Sequence, residues 1–259
     1  MAKFFVCSDI HSYFHIFYEE LIRKGYDVNN PDHYIICCGD FFDRGPEPLA
    51  TYNFFTTTPR VILIRGNHED LLESCLERGF WMDHDVHNGT IATVLAFGQR
   101  SPKDIEKFHE ACAVARPKVK WFLDYTINYF ETKNYIFTHG WIPCREDLRP
   151  AYWQEGISYV YKPDWRDAHA SEWNNARWIN GMKAWHEKVI EPGKTIVCGH
   201  WHTSWGHSRY EHHGSEFEAD ADFSPFKANG ILAIDACTAY TEKVNIVVIE
   251  DEFMEGVEI

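Results

Sequence analysis

Five short apolar runs in this chain each end in a block of aspartate, asparagine or histidine, and that recurrence constrains the fold more than any other feature. Lys3–Cys7 runs into Ser8-Asp9-Ile10-His11, and Tyr34–Cys38 into Gly39-Asp40-Phe41-Phe42-Asp43-Arg44-Gly45. Arg60–Ile64 ends at Arg65-Gly66-Asn67-His68-Glu69, Tyr135–Thr138 at His139-Gly140, and Thr195–Cys198 at Gly199-His200-Trp201-His202. Short apolar runs bounded by turn residues read as buried strands. Segments with helical spacing of apolar residues follow the first three: Phe14–Lys24, which stops at Gly25, Pro46–Phe55, with Pro46 near its first turn, and Glu69–Gly79. Strands alternating with helices specify an α/β fold with a parallel sheet and helices on its faces.

In such a sheet the loops at the carboxyl ends of the strands meet in one crevice, where ligands bind. The polar blocks should therefore converge although they span residues 8 to 202. Glycine in most of them lets the backbone approach a small ion closely. Asp9 and His11 stand two apart on what reads as extended chain, so their side chains share a side, and His200 and His202 repeat that spacing. Asn67 and His68 are neighbours and point apart, one toward a metal and the other toward substrate. Aspartate, asparagine and histidine together suit Mn, Fe, Zn or Co better than Ca or Mg. Seven candidates, Asp9, His11, Asp40, Asn67, His139, His200 and His202, are too many for one ion and fit two if one carboxylate bridges.

The rest of the pattern reads as one domain over residues 1–259 with cap-like insertions at roughly 81–123 and 145–191. Helical stretches are expected around Ile91–Phe97 and Asp104–Ala115, and the last strands at Ile231–Ile234 and Val244–Ile249. Hydrophobic residues at 45% and charged residues at 25% are globular composition. The formal net charge of −14 argues against binding a nucleic-acid backbone, which needs clustered Lys and Arg. No apolar run approaches the ~18 residues of a membrane span, so no membrane partner is expected. The residues before Ser8 are too few for a signal peptide. The expected location is the cytoplasm, with the eight cysteines, none in a CxxC pair, as free thiols. Nothing in the pattern sets an oligomeric state.

Taken in order, the five blocks resemble those of the calcineurin-like metallophosphoesterases. More narrowly, Gly39–Gly45 (GDFFDRG) and Gly66–Glu69 (GNHE) resemble the serine/threonine phosphoprotein phosphatases and the symmetrical diadenosine tetraphosphatases. The first block reads SDIHS where phosphoprotein phosphatases usually carry GDxHG. The last reads GHWH, whose second histidine resembles the broader metallophosphoesterases. The resemblance implies a sandwich of two mixed β-sheets flanked by helices. It implies two divalent ions, manganese first with iron or zinc as alternatives. Asp9, His11 and His202 would hold one, Asn67, His139 and His200 the other, with Asp40 bridging. It implies a hydroxide between the ions as nucleophile, because metal binding lowers the pKa of water from ~16 to about 7. His68 would protonate the leaving oxygen, Asp43 would orient His68, and Arg44 would hold phosphate oxygens through a bidentate contact. A second phosphate-binding arginine is expected between the His139 and His200 blocks, with Arg177 (ARWING) favoured over Arg166 (DWRD). Ile234–Tyr240 (IDACTAY) is expected to line the cleft, which makes Tyr240 a further substrate-binding candidate.

The implied activity is hydrolysis of phosphomonoesters, with a phosphorylated protein or a small phosphoester as substrate. The alternative is a dinucleoside polyphosphate hydrolase acting on nucleotides. Eight of the ten tryptophans lie between Trp141 and Trp205. A tryptophan wall that stacks a base would favour the dinucleotide, whereas helix packing would not. A metal-free scaffold would have lost ligands, and none is missing. His15, His33, His84, His87, His109, His169 and His186 lack the strand-end context and read as structural.

Overall fold

The computed structural model describes residues 1–148 and 157–256. Its first sheet is built from β1 (Ala2–Cys7), β2 (His33–Cys37) and β3 (Val61–Leu63), and its second from β4 (Tyr129–Glu131) and β5 (Tyr135–Thr138) onward. Then come β6 (Arg145–Leu148), β7 (Ile157–Val160), β8 (Thr195–Cys198), β9 (Phe226–Ala228), β10 (Ile231–Ala233) and β11 (Val247–Asp251). The first sheet has the order β11-β1-β2-β3, with β1, β2 and β3 parallel and β11 antiparallel at one edge. The second has the order β4-β5-β8-β10-β9, with a parallel centre and antiparallel edges. β6 and β7 form a separate antiparallel pair.

Alternation along the strands builds the layers. Phe4, Val6, Ile36, Cys38, Ile62 and Ile64 face Phe137, Val197, Leu232 and Ile234 across the gap between the sheets. The intervening residues, Phe5, Cys7, Ile35, Cys37 and Leu63, face outward into a second core. That core is closed by α1 (Phe14–Arg23), α2 (Pro48–Thr57), α3 (Asn67–Arg78), α5 (Thr90–Phe97) and α6 (Phe108–Leu123), while the short α4 (Asp83–Asn88) packs beside α3 and α5. On the far side Ile136, Ile196, Cys198 and Ile231 pack with α7 (Ala170–Ala176) and α8 (Gly181–His186). The result is two mixed sheets flanked by helices. Each fully buried Phe, Leu or Ile contributes roughly 1.5–3 kcal/mol of transfer free energy, which is why strands with both faces covered carry near-continuous apolar runs.

The spacing placed the end of one helix at Ala115, two residues before Pro117, but α6 continues through that proline to Leu123. Proline there gives up one backbone hydrogen bond. Val119, Phe122 and Leu123 continue the buried stripe beyond it and hold the helix together. Of the tryptophans, Trp141, Trp165 and Trp173 are buried in the outer core of the second sheet, so these three are packing residues. Trp153 lies outside the described residues, as does the part of the 145–191 insertion around it. Among the described residues no helix is long and apolar enough to cross a membrane.

Candidate metal centre

The carboxyl ends of β1, β2, β3, β5 and β8 open onto one cleft, and the backbone after β1, β2 and β8 passes through left-handed residues. Asp9 and His11 have φ of 51° and 46°. A turn, rather than the pleat of an extended strand, therefore brings these two side chains to one side. Asp40, Asp43, Arg44 and His200 are also left-handed, with φ of 56°, 71°, 60° and 66°. That conformation costs side-chain-bearing residues of order 1–3 kcal/mol each. Backbone bonds across the cleft hold it: Asp9 N–H to Gly39 O at 3.1 Å, His11 N–H to Asp40 O at 3.0 Å and Gly45 N–H to His11 O at 2.9 Å. The close approach explains Gly39, whose φ is 90° and where a Cβ would lie 2.6 Å from His139 Nδ1.

Glu69 ties the β2 loop to the start of α3. Its Oε2 accepts the N–H groups of Asp40 (2.8 Å) and Gly66 (2.9 Å), and its Oε1 accepts that of Phe41 (3.0 Å). Burial, then the charge of Asp40, pushes its pKa to about 7.

One donor atom from each of His11, Asp40 and His68 lies within 4.8 Å of the other two, and the same holds for Asp40, His139 and His200. Asp40 is common to both groups. His11 Nδ1–H donates to Phe42 O at 3.0 Å, and His139 Nδ1–H to Cys38 O at 2.7 Å. A carbonyl only accepts, so these bonds set the tautomer and turn each Nε2 lone pair into the cleft. His139 Nε2 lies 3.4 Å from Asp40 Oδ1, and His11 Nε2 3.7 Å from Asp40 Oδ2. Asn67 Oδ1 sits 2.7 Å from His139 Nε2 and 3.0 Å from His200 Nδ1. The His139 Nε2 lone pair thus faces the Asn67 oxygen acceptor to acceptor, a contact that a cation reconciles.

The electrostatics agree. Burial, with Arg44 and His68 beside it, holds His11 well below its ordinary pKa. Burial and His139 push His200 down to about 3. Both imidazoles are thus neutral lone-pair donors. Burial opposes charge on Asp40, but His139, His68 and His11 outweigh it and keep this carboxyl well below the usual range. Burial raises Asp9 to about 6, with His139 opposing and the charge of Asp40 adding. A buried pocket crowded with carboxyls and neutral imidazoles fits two divalent cations.

Asp43, Arg44 and His68 are linked to one another at one side of the cleft. His68 Nδ1–H donates to Asp43 Oδ2 at 2.9 Å. Burial opposes charge on His68, yet Asp40 and Asp43 together raise its pKa to about 9. The Arg44 guanidinium spans the open face, with Nη1 3.0 Å from His11 Nε2 and Nη2 3.1 Å from His68 Nε2. A cavity of about 270 Å³ is lined by Asp9, His11, Asp40, Arg44, Asn67, His68, His200 and His202, with Asn88, Trp178, Trp201 and Asp235 completing its wall. A larger cavity of about 470 Å³, between Phe55 and Trp121, has no carboxylate or imidazole in its lining.

Some expected residues are placed differently. His202 lines the cavity, but its Nε2 is 2.9 Å from Glu216 Oε1 and it belongs to neither donor group. His200 and His202 both face the cavity as their spacing predicts, although only His200 is turned left-handed. Arg177 is buried and donates to Asp70 (2.8 Å) and Asn128 (2.7 Å), so it is a strut between elements and not part of the cavity wall. Arg166 is held by Glu131 and Glu191. Tyr240 is exposed on the rim, its hydroxyl donating to Phe217 O at 2.8 Å. In the same IDACTAY segment the cavity residue is Asp235, which burial and then Asp9 push well above the usual carboxyl range. It follows a strand end as Asp9 and Asp40 do, a signal already present in the sequence. Glu69 stands in the Gly66–Glu69 block at a strand end, whereas Asn88 has no comparable signal.

Paired donor groups sharing one aspartate, at the strand ends of a two-sheet α/β sandwich, define a metal-dependent hydrolase. A family model for calcineurin-like phosphoesterases matches residues 2–231, and the chain belongs to that family of phosphoester hydrolases. No curated protein matches it. Among solved structures, a provisionally assigned diadenosine tetraphosphatase is 14% identical with a TM-score of 0.52, over 98% of this chain and 95% of that one. A cold-active protein-tyrosine phosphatase of a psychrophile, Shewanella sp., is 13% identical with a TM-score of 0.50, over 96% of this chain and 76% of that one. At these identities the likeness is one of fold.

Proposed function

We propose that this protein is a dinuclear metallophosphatase that hydrolyses phosphomonoesters, of the serine/threonine phosphoprotein type. The observation that carries the dinuclear reading is Asp40, shared by two donor groups within 4.8 Å. Asp9, His11 and His202 would hold the first ion and Asn67, His139 and His200 the second, with manganese as the first choice of metal and iron or zinc as alternatives. When bound, such ions polarise phosphoryl oxygens and bring the pKa of water to about 7. Arg44 binds the phosphoryl oxygens. His68 gives its proton to the leaving oxygen, and Asp43 holds the imidazole in the donating tautomer. The chain works as a single domain in the cytoplasm, without nucleic-acid or membrane partners.

A second reading, dinucleoside polyphosphate hydrolysis, is supported by Trp178 and Trp201 in the wall of the same cavity. The deciding experiment compares kcat/KM of manganese-loaded protein on a phosphothreonine peptide and on diadenosine tetraphosphate. A preference of ~100-fold, about 2.7 kcal/mol, for the peptide supports the first reading, and the reverse preference overturns it.

A further inference from the structure

The geometry points to Thr90 as a positioning residue for the leaving-group acid: its hydroxyl sets the plane of the Asp43 carboxylate on which His68 is held. This rests on reading His68 as the acid. Thr90 Oγ1–H donates to Asp43 Oδ2 at 2.8 Å, the same oxygen that accepts His68 Nδ1–H at 2.9 Å. Asp43 Oδ1 is buried without a hydrogen-bond partner among the described residues. A carboxylate's terminal torsion is broad and roughly two-fold, so the aspartate's own rotamer does not decide which oxygen meets the imidazole or at what angle. Two donors converging on Oδ2 do decide it.

The surroundings make Thr90 stiff. It is the first residue of α5 and fully buried, as is Asp43. One turn later Thr93 Oγ1 accepts the backbone N–H of Asp43 at 3.1 Å. The start of α5 thus grips the left-handed Asp43 by both main chain and side chain. As the phosphorus–oxygen bond to the leaving group breaks, the electron pair stays on the leaving oxygen. That oxygen takes the proton from His68 Nε2, while a water oxygen forms the new bond to phosphorus. His68 ends neutral with Nδ1–H still on Asp43, so any swing of the carboxylate misaims the proton.

The test uses manganese-loaded wild type, T90V, T90A, T90S and H68N on two monoesters, phenyl phosphate and p-nitrophenyl phosphate. The poorer phenolate leaving group needs the acid more. H68N is expected to lose ~100-fold or more on phenyl phosphate and much less on p-nitrophenyl phosphate. T90V and T90A are expected to lose about 10-fold on phenyl phosphate with KM unchanged and at most about 2-fold on p-nitrophenyl phosphate, while T90S stays near wild type. In metal-free protein the downfield proton resonance of His68 Nδ1–H should move in T90V and keep its place in T90S. Equal losses on both esters, or no loss in either hydroxyl-free variant, overturn the role of Thr90. If H68N itself shows no leaving-group dependence, the acid reading falls and Thr90's role falls with it, a result distinct from failure of Thr90 alone.

Discussion

The backbone N–H of His200 donates to Oδ2 of Asp9 at 2.9 Å, joining residues 191 apart in sequence. The Ser8 hydroxyl donates to the same oxygen. Asp9 sits after the first sheet's central strand and His200 after the second's, so this bond ties the sheets together at the cleft. A cation bound there therefore favours the folded state directly. Saturating Mn²⁺ is expected to raise Tm by about 5–10 °C, and Asp9→Ala to lower the metal-free Tm and reduce the increment to that of the remaining ion, by calorimetry.

Asp40 is the carboxylate both donor groups share, and Asp40→Asn should reduce bound manganese from two ions to one or fewer by elemental analysis. Activity on p-nitrophenyl phosphate should fall by at least ~100-fold with the far-ultraviolet circular dichroism unchanged. Two ions retained at full activity would contradict the bridging role.

His68 is raised above its ordinary value, to about 9, so it holds its proton more tightly than a free imidazole and loses it as pH rises through that region. Cations beside Asp40 share the charge that raises it, so the alkaline limb of kcat on phenyl phosphate should fall at or below about 9. Asp43→Asn should move the limb to lower pH, and His68→Asn should remove it. An alkaline limb that survives in His68→Asn assigns the titration to another group.

Arg177 and Arg44 should separate cleanly. Arg177→Met removes the strut to Asp70 and Asn128 and should cost about 2–4 kcal/mol of stability in a denaturant titration. Its kcat/KM, measured below the melt, should stay within about 3-fold of wild type, since truncations remote from the chemistry act through folding. Arg44→Ala should show the opposite profile, with a Tm near wild type and a loss of ~100-fold in kcat/KM.

Trp178 is half-exposed and meets the His200 ring edge-on with centroids 5.8 Å apart. If it stacks a base, Trp178→Ala should raise KM for diadenosine tetraphosphate about 10-fold and leave phenyl phosphate unchanged. Equal effects on both substrates would make it a support for His200 alone.

Much of this was legible along the chain. β5 and β8 occupy Tyr135–Thr138 and Thr195–Cys198, where the apolar runs lie, because a strand buried on both faces needs an unbroken run. β4 and β9 escaped notice because three residues at a sheet edge carry too little pattern. α6 ran past Pro117 because burial of Val119, Phe122 and Leu123 outweighs one lost backbone bond.

The sequence by itself set which side chains the cleft would gather: aspartate, asparagine and histidine at the ends of parallel strands, whose loops meet in one crevice. Only the tertiary structure decided which atoms meet. The left-handed turns at Asp9, His11, Asp40 and His200 are held by partners in other loops, so Asp9 and His11 converge through a turn and not through the pleat of an extended chain. Arg177 was drawn to Asp70, 107 residues away, by a buried charge that needed a partner. Local pattern sets what a residue can do; long-range contacts, whose free energy has no period along the chain, set whether it is in place to do it.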